Sequence, residues 1–162
     1  MRTLISLFAA TTLLGASWAT AQTLTLEGPD HQSRTLTVTD LAAMPHVGAA
    51  LTGEDGKAVS YEGVPLTTLL QSIGAPAGKA LHGRELADVV IMTATDGYRV
   101  ALSLAETDPA VHGETMVIAD RAHGAPLDAH EGPFRLVIEG DRRPARSVRM
   151  VADIRVTRLS PP

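Results

Sequence analysis

The sequence predicts an α+β fold: a single β-rich domain of mixed sheets with a few short helices. Three observations predict it. Short stretches alternate apolar and polar residues with a period of two. Only one segment, 64–73, carries a sustained helical apolar repeat. No internal repeat, low-complexity tract or linker divides the chain.

Residues 23–27 and 34–38 alternate as half-buried strands do, and Gly28-Pro29-Asp30 supplies a turn between them. Residues 39–44 read as a short capped helical turn stopped by Pro45. Glu54-Asp55-Gly56-Lys57 reads as a hairpin turn between strands at 49–52 and 58–61. In 64–73, Leu66, Leu69, Leu70 and Ile73 recur at i, i+3, i+4 and i+7. Pro65 sits near the first helical position, and Gly74 with Pro76 marks the stop before a loop at 75–83. Strands at 89–92 and 99–103 flank Asp96-Gly97, which reads as a type I′ hairpin turn. Residues 103–106 resemble a capping box. Strands at 115–119 and 134–139 are separated by a long loop, 120–133, and strands at 148–151 and 154–156 finish the sheet.

The first 21 residues have the pattern of an export signal: Arg2, an apolar stretch over 4–16, and Ala19-Thr20-Ala21 as a small-x-small cleavage site. A retained anchor is the alternative, but the apolar stretch is short for a bilayer and no second span follows. A single Arg indicates the general secretory route, so a periplasmic location is expected for 22–162, with no membrane insertion after cleavage. Without the signal the chain carries 13 basic and 18 acidic residues, a net acidity that disfavours nucleic acid. Only Tyr61, Tyr98 and Phe134 remain as aromatics. There is no Cys, hence no disulfide and no thiolate to ligate a metal. The basic residues are uneven. Residues 121–162 hold eight Arg against five acids, which suits an anion or polar-ligand site or a solvated strand face.

Hydrolase elbows, Walker loops and dinucleotide fingerprints are absent. His112, His123 and His130 are seven or more residues apart and read as surface side chains.

Three segments together resemble the molybdopterin-binding domain of the sulfite-oxidase family. They are Tyr61-Glu62-Gly63-Val64-Pro65-Leu66, then Thr95-Asp96-Gly97-Tyr98, and a long third run. The third comprises His123-Gly124-Ala125-Pro126-Leu127, His130-Glu131-Gly132-Pro133-Phe134-Arg135, and Arg146-Ser147-Val148-Arg149-Met150. The family reads Asn-Gly-x-Pro-Leu, His-x-x-Pro-x-Arg and Arg-x-Val-Lys-Trp at these places. The resemblance implies a pterin or molybdopterin-like ligand held by His130, Arg135, Arg146, Ser147 and Arg149. Guanidinium forks suit the hydrogen-bonding edge of a pterin or a phosphate. Asp96 is positioned to accept from a pterin amino group, beyond its turn role. Tyr98 offers a ring face and a hydroxyl, or simply packs. Arg142 and Arg143, in a Gly-Asp-Arg-Arg-Pro loop, read as solvated.

The family's redox enzymes hold molybdenum through a Cys thiolate, and here Cys is absent, so no molybdenum is expected. The preferred expectation is therefore a periplasmic, non-catalytic pterin-binding protein. Its partner would be the periplasmic domain of a membrane signalling enzyme. The alternative is a molybdopterin-dependent oxidoreductase or a subunit of one. A ligand-free interaction module is the third reading.

Overall fold

The computed structural model describes residues 22–53 and 56–159. The expected export signal, and Glu54 and Asp55 of the expected hairpin turn, lie outside the described residues. No helix among the described residues is long and apolar enough to cross a membrane.

Two sheets form the domain. The first contains β1 (Leu24–Glu27), β2 (Ser33–Leu36), β5 (Val89–Ala94), β6 (Arg99–Ser103) and β10 (Val151–Thr157), in the order β2-β1-β10-β5-β6. Here β1 runs parallel to β10, with Leu26 opposite Ile154, while the other pairs are antiparallel. The second contains β3 (Val47–Thr52), β4 (Ala58–Pro65), β7 (Met116–Ala122), β8 (Ala125–Pro126) and β9 (Arg135–Ile138). Its order is β3-β4-β7, and β8 and β9 each pair with β7. Two short helices, α1 (Val38–Ala42) and α2 (Leu66–Gln71), complete the scaffold.

Burial explains why 116–119 and 136–138 are apolar without alternation. The odd and even positions of β7 face two different clusters. Met116, Ile118, Leu136 and Ile138 join the main core with Leu24, Met92, Ile154 and the α2 leucines. Val117, Ala119 and Val137 face a smaller cluster with Ala49, Leu51 and Tyr61. A strand covered on both faces loses the polar half of its pattern. Arg135 shares the strand face of Val137, because side chains two apart point the same way.

Several expected boundaries shift. The first helix starts earlier, because Thr37 caps it: its Oγ1 accepts from the Asp40 N–H at 3.1 Å, and Asp40 Oδ2 accepts from the Thr37 N–H at 2.8 Å. Val64 and Pro65 belong to β4, and Pro65 occupies the N-cap position of α2. At 105–107 the chain makes a 3-10 turn in place of a capping box. Ser103 Oγ accepts from the Ala105 N–H, and Glu106 turns away to Arg146.

The Asp96-Gly97 turn also differs from expectation. Gly97 has φ +87°, whereas Asp96 is not among the residues with positive φ. The Gly97 N–H donates to the Ala94 carbonyl, the pattern of a type I turn followed by a left-handed glycine. The turn with both central residues left-handed lies elsewhere. His123 (φ 52°) and Gly124 (φ 77°) join β7 to β8, inside the stretch expected to be a loop. Residues 148–150 leave the sheet, so β10 is one strand starting at Val151.

Candidate functional site

Three separated segments meet around a cavity of about 680 Å³. The β5–β6 turn contributes Asp96 and Tyr98, the loop before β9 contributes His130, and the connection from β9 to β10 contributes Arg143, Ser147, Arg149 and Met150. Backbone hydrogen bonds stitch them together. The Thr95 N–H donates to the Met150 carbonyl at 3.0 Å, and the Met150 N–H donates to the Glu131 carbonyl at 2.9 Å.

Each predicted residue is held by local geometry. Asp96 Oδ1 accepts from the Tyr98 N–H at 2.9 Å, which shapes the turn. Tyr98 is half exposed, and its hydroxyl donates to the Ala145 carbonyl at 2.8 Å. The Asp128 carboxylate accepts from the N–H groups of His130 and Glu131 at 2.8 and 3.1 Å, fixing the His130 loop. Ser147 is buried, and its Oγ accepts from the Ile138 N–H at 3.3 Å. Arg149 is exposed and makes no ion pair among the described residues.

Five of the seven predicted residues thus share one cavity: Asp96, Tyr98, His130, Ser147 and Arg149. Arg135 and Arg146 do not line it. Arg135 is only 3 % exposed and faces an adjoining cavity of about 390 Å³, which Arg149 and Pro144 also line. There the Arg135 guanidinium pairs with Glu131 and sits 5.0 Å from the centre of the Tyr61 ring. Its Nε is buried without a hydrogen-bond partner among the described residues. The Tyr61 hydroxyl donates to Glu131 at 3.2 Å, and burial pushes the Tyr61 phenol above its usual range.

Arg146 is tied down by two carboxylates. Its Nε and Nη2 donate to Asp141 at 3.1 and 2.6 Å, and Nη1 donates to Glu106 at 3.1 Å. The Asp141 hydrogen bonds raise its pKa further above the ordinary arginine value. The arrangement anchors the 3-10 turn at Pro144–Arg146 and so fixes the wall that carries Ser147 and Arg149.

Arg143 and Met150 escaped the sequence reading. Arg143 is exposed, as expected of a solvated loop, yet it lies on the cavity wall, whereas Arg142 does not. Pro144, which follows it, starts the 3-10 turn and restricts the preceding residue to extended backbone, observed at φ −138° and ψ 138°. That restriction was the available signal. Met150 has φ 49°, a left-handed conformation that costs a non-glycine residue about 1–2 kcal/mol. Its N–H and carbonyl are both bonded, which holds it there.

No curated protein matches this sequence. Solved structures that match include the sulfane dehydrogenase SoxCD from Paracoccus pantotrophus, with a TM-score of 0.62 and 20 % identity. The match covers 83 % of this chain but 38 % of that one, so this chain spans well under half of that relative's length. The likeness extends to the fold: two β-sheets with few short helices. The family profile of the oxidoreductase molybdopterin binding domain covers residues 15–161. With nearly its whole length inside that profile, the chain belongs to the oxidoreductase molybdopterin binding domain family.

Proposed function

We propose that this domain holds a molybdopterin-type pterin in the larger cavity, as the cofactor-binding part of a molybdopterin-dependent oxidoreductase. One observation carries the reading: residues from three distant segments, matched to the family's pterin-binding positions or turn, converge on a single cavity. The donor set suits a heterocycle that offers donors and acceptors along one edge. The Asp96 carboxylate accepts, Arg143 and Arg149 donate, and His130 does either.

The fit is to the organic part. The chain has no Cys, and no three His, Asp or Glu side chains among the described residues are gathered to hold a metal ion. A bound molybdopterin supplies redox chemistry through the metal it carries. This chain's own residues bind and orient the pterin and contribute no thiolate to that metal.

The missing thiolate favours a second reading: a non-catalytic pterin-binding protein in the periplasm, reporting occupancy to a membrane signalling enzyme. A partner protein for this chain fits either reading. Calorimetry with oxidised and reduced pterins tests what both share; no heat at millimolar ligand overturns both. Metal analysis of protein made in a molybdopterin-competent host separates them. Stoichiometric molybdenum supports the oxidoreductase, and metal-free protein with bound pterin supports the binding protein.

A further inference from the structure

The smaller cavity poses a charge problem that the larger one does not. It has an apolar wall of Leu51 and Val59 and a polar side of Tyr61, Glu131, Arg135 and Arg149. Arg135 would be the natural anion receptor, being buried, with its Nε still unsatisfied. Yet the chain supplies its own anion. Glu131 takes the guanidinium from four residues away and is steadied by the Tyr61 hydroxyl. Glu131 is itself fixed, since its carbonyl accepts from the Met150 N–H and its own N–H donates to Asp128. It is thus a built part of the wall. Arg135 and Glu131 cancel, and among the described residues that line this cavity Arg149 is the charge left without an ion pair.

We infer that Glu131 is a specificity determinant: by occupying Arg135 it makes the smaller cavity accept an uncharged or singly charged group and disfavour a dianion such as a phosphate monoester or sulfate. The reason is charge matching. Beside the buried Arg135–Glu131 pair, one surplus positive charge offsets one negative charge, and a second finds the Glu131 carboxylate nearby. The dianion could arrive as the tail of a pterin in the larger cavity or as a free oxyanion. The first source rests on the pterin reading; the second does not.

The test compares sulfate with nitrate by calorimetry on the wild-type protein and on Glu131→Gln. Sulfate affinity should rise at least about tenfold in the variant, the effect of one charge-assisted contact released to the ligand, while nitrate stays within about twofold. Equal sulfate affinity in two proteins with matching circular dichroism overturns the inference. If Glu131→Gln does not fold, Glu131→Asp keeps the charge and shortens its reach. A gain of about threefold for sulfate is then expected, and no gain overturns the inference. A second arm compares 6-hydroxymethylpterin with its phosphate ester. A larger gain for the ester than for free sulfate assigns the subsite to the ligand's tail, and a gain for sulfate alone assigns it to a free oxyanion. If no pterin binds while sulfate shows the gain, the pterin reading fails and the role of Glu131 stands.

Discussion

The Tyr98 hydroxyl donates to the Ala145 carbonyl at 2.8 Å across 47 residues of sequence. The bond ties the β5–β6 turn to the Arg-rich connection between β9 and β10. The phenol thus adds a side-chain link between two walls of the larger cavity that the Thr95–Met150 backbone bond already joins. Tyr98→Phe keeps the ring and removes the side-chain link. Since a single hydrogen bond contributes about 0.5–1.5 kcal/mol to folding stability, the variant should lose no more than that, and pterin affinity should fall about threefold as the turn loosens. Calorimetry beside urea denaturation checks it; a large stability loss with unchanged affinity would show the bond to be structural only.

Arg149 and Arg135 should separate in the same pair of measurements. Arg149 is exposed, free of ion pairs among the described residues, and lines both cavities. Arg149→Ala should weaken binding by about 1.5–3 kcal/mol and leave the urea midpoint in place. Arg135→Ala should do the reverse. It strands Glu131 and empties space beside buried Tyr61, so about 2–4 kcal/mol of stability should be lost. An Arg135→Ala protein as stable as wild type refutes that assignment.

Arg146 belongs with the scaffold. Its three ion-paired hydrogen bonds to Asp141 and Glu106 lie partly in solvent. Arg146→Ala should therefore cost about 1 kcal/mol of stability and change pterin affinity less than about threefold. A loss of binding as large as that of Arg149→Ala would place Arg146 back in contact with the ligand.

The contrast among these arginines marks where sequence stops being informative. Arg135 and Arg149 both sit in apolar context, and pattern alone cannot tell a guanidinium facing a ligand from one facing a neighbouring carboxylate. Only the loop that brings Glu131 back onto β9 decides it. The strands read at 89–92 and 99–103 were legible from the apolar run Val89-Val90-Ile91-Met92 and the Asp96-Gly97 turn between them, and the first continues to Ala94. The β7–β8 hairpin was not. Its left-handed turn residue is His123, a weaker turn signal than the Asn that the family pattern carries there. The start of β10 was hidden because Met150, nothing in whose chemistry announces positive φ, takes the left-handed region under tertiary hydrogen bonds.

Asp153 gives a pH prediction with a defined sign. It lies on β10, and burial is the main reason its carboxyl sits above the ordinary value of 3.8. Arg155 and Arg99 oppose that shift and Glu27 adds to it, while Glu27 is itself paired with Arg155 at 2.9 Å. A raised carboxyl means that the folded protein keeps this proton to higher pH than the unfolded chain. Its favourable contribution is complete below the ordinary value and is lost as pH rises through the folded one. Asp153→Asn fixes the neutral state and escapes that loss. The variant should match wild type near pH 3.5 and exceed it at pH 8, by less than about 1 kcal/mol because solvent screens the site. Urea midpoints across that range provide the measurement. An Asn variant no more stable than wild type at pH 8 would mean that the two arginines already compensate the buried charge.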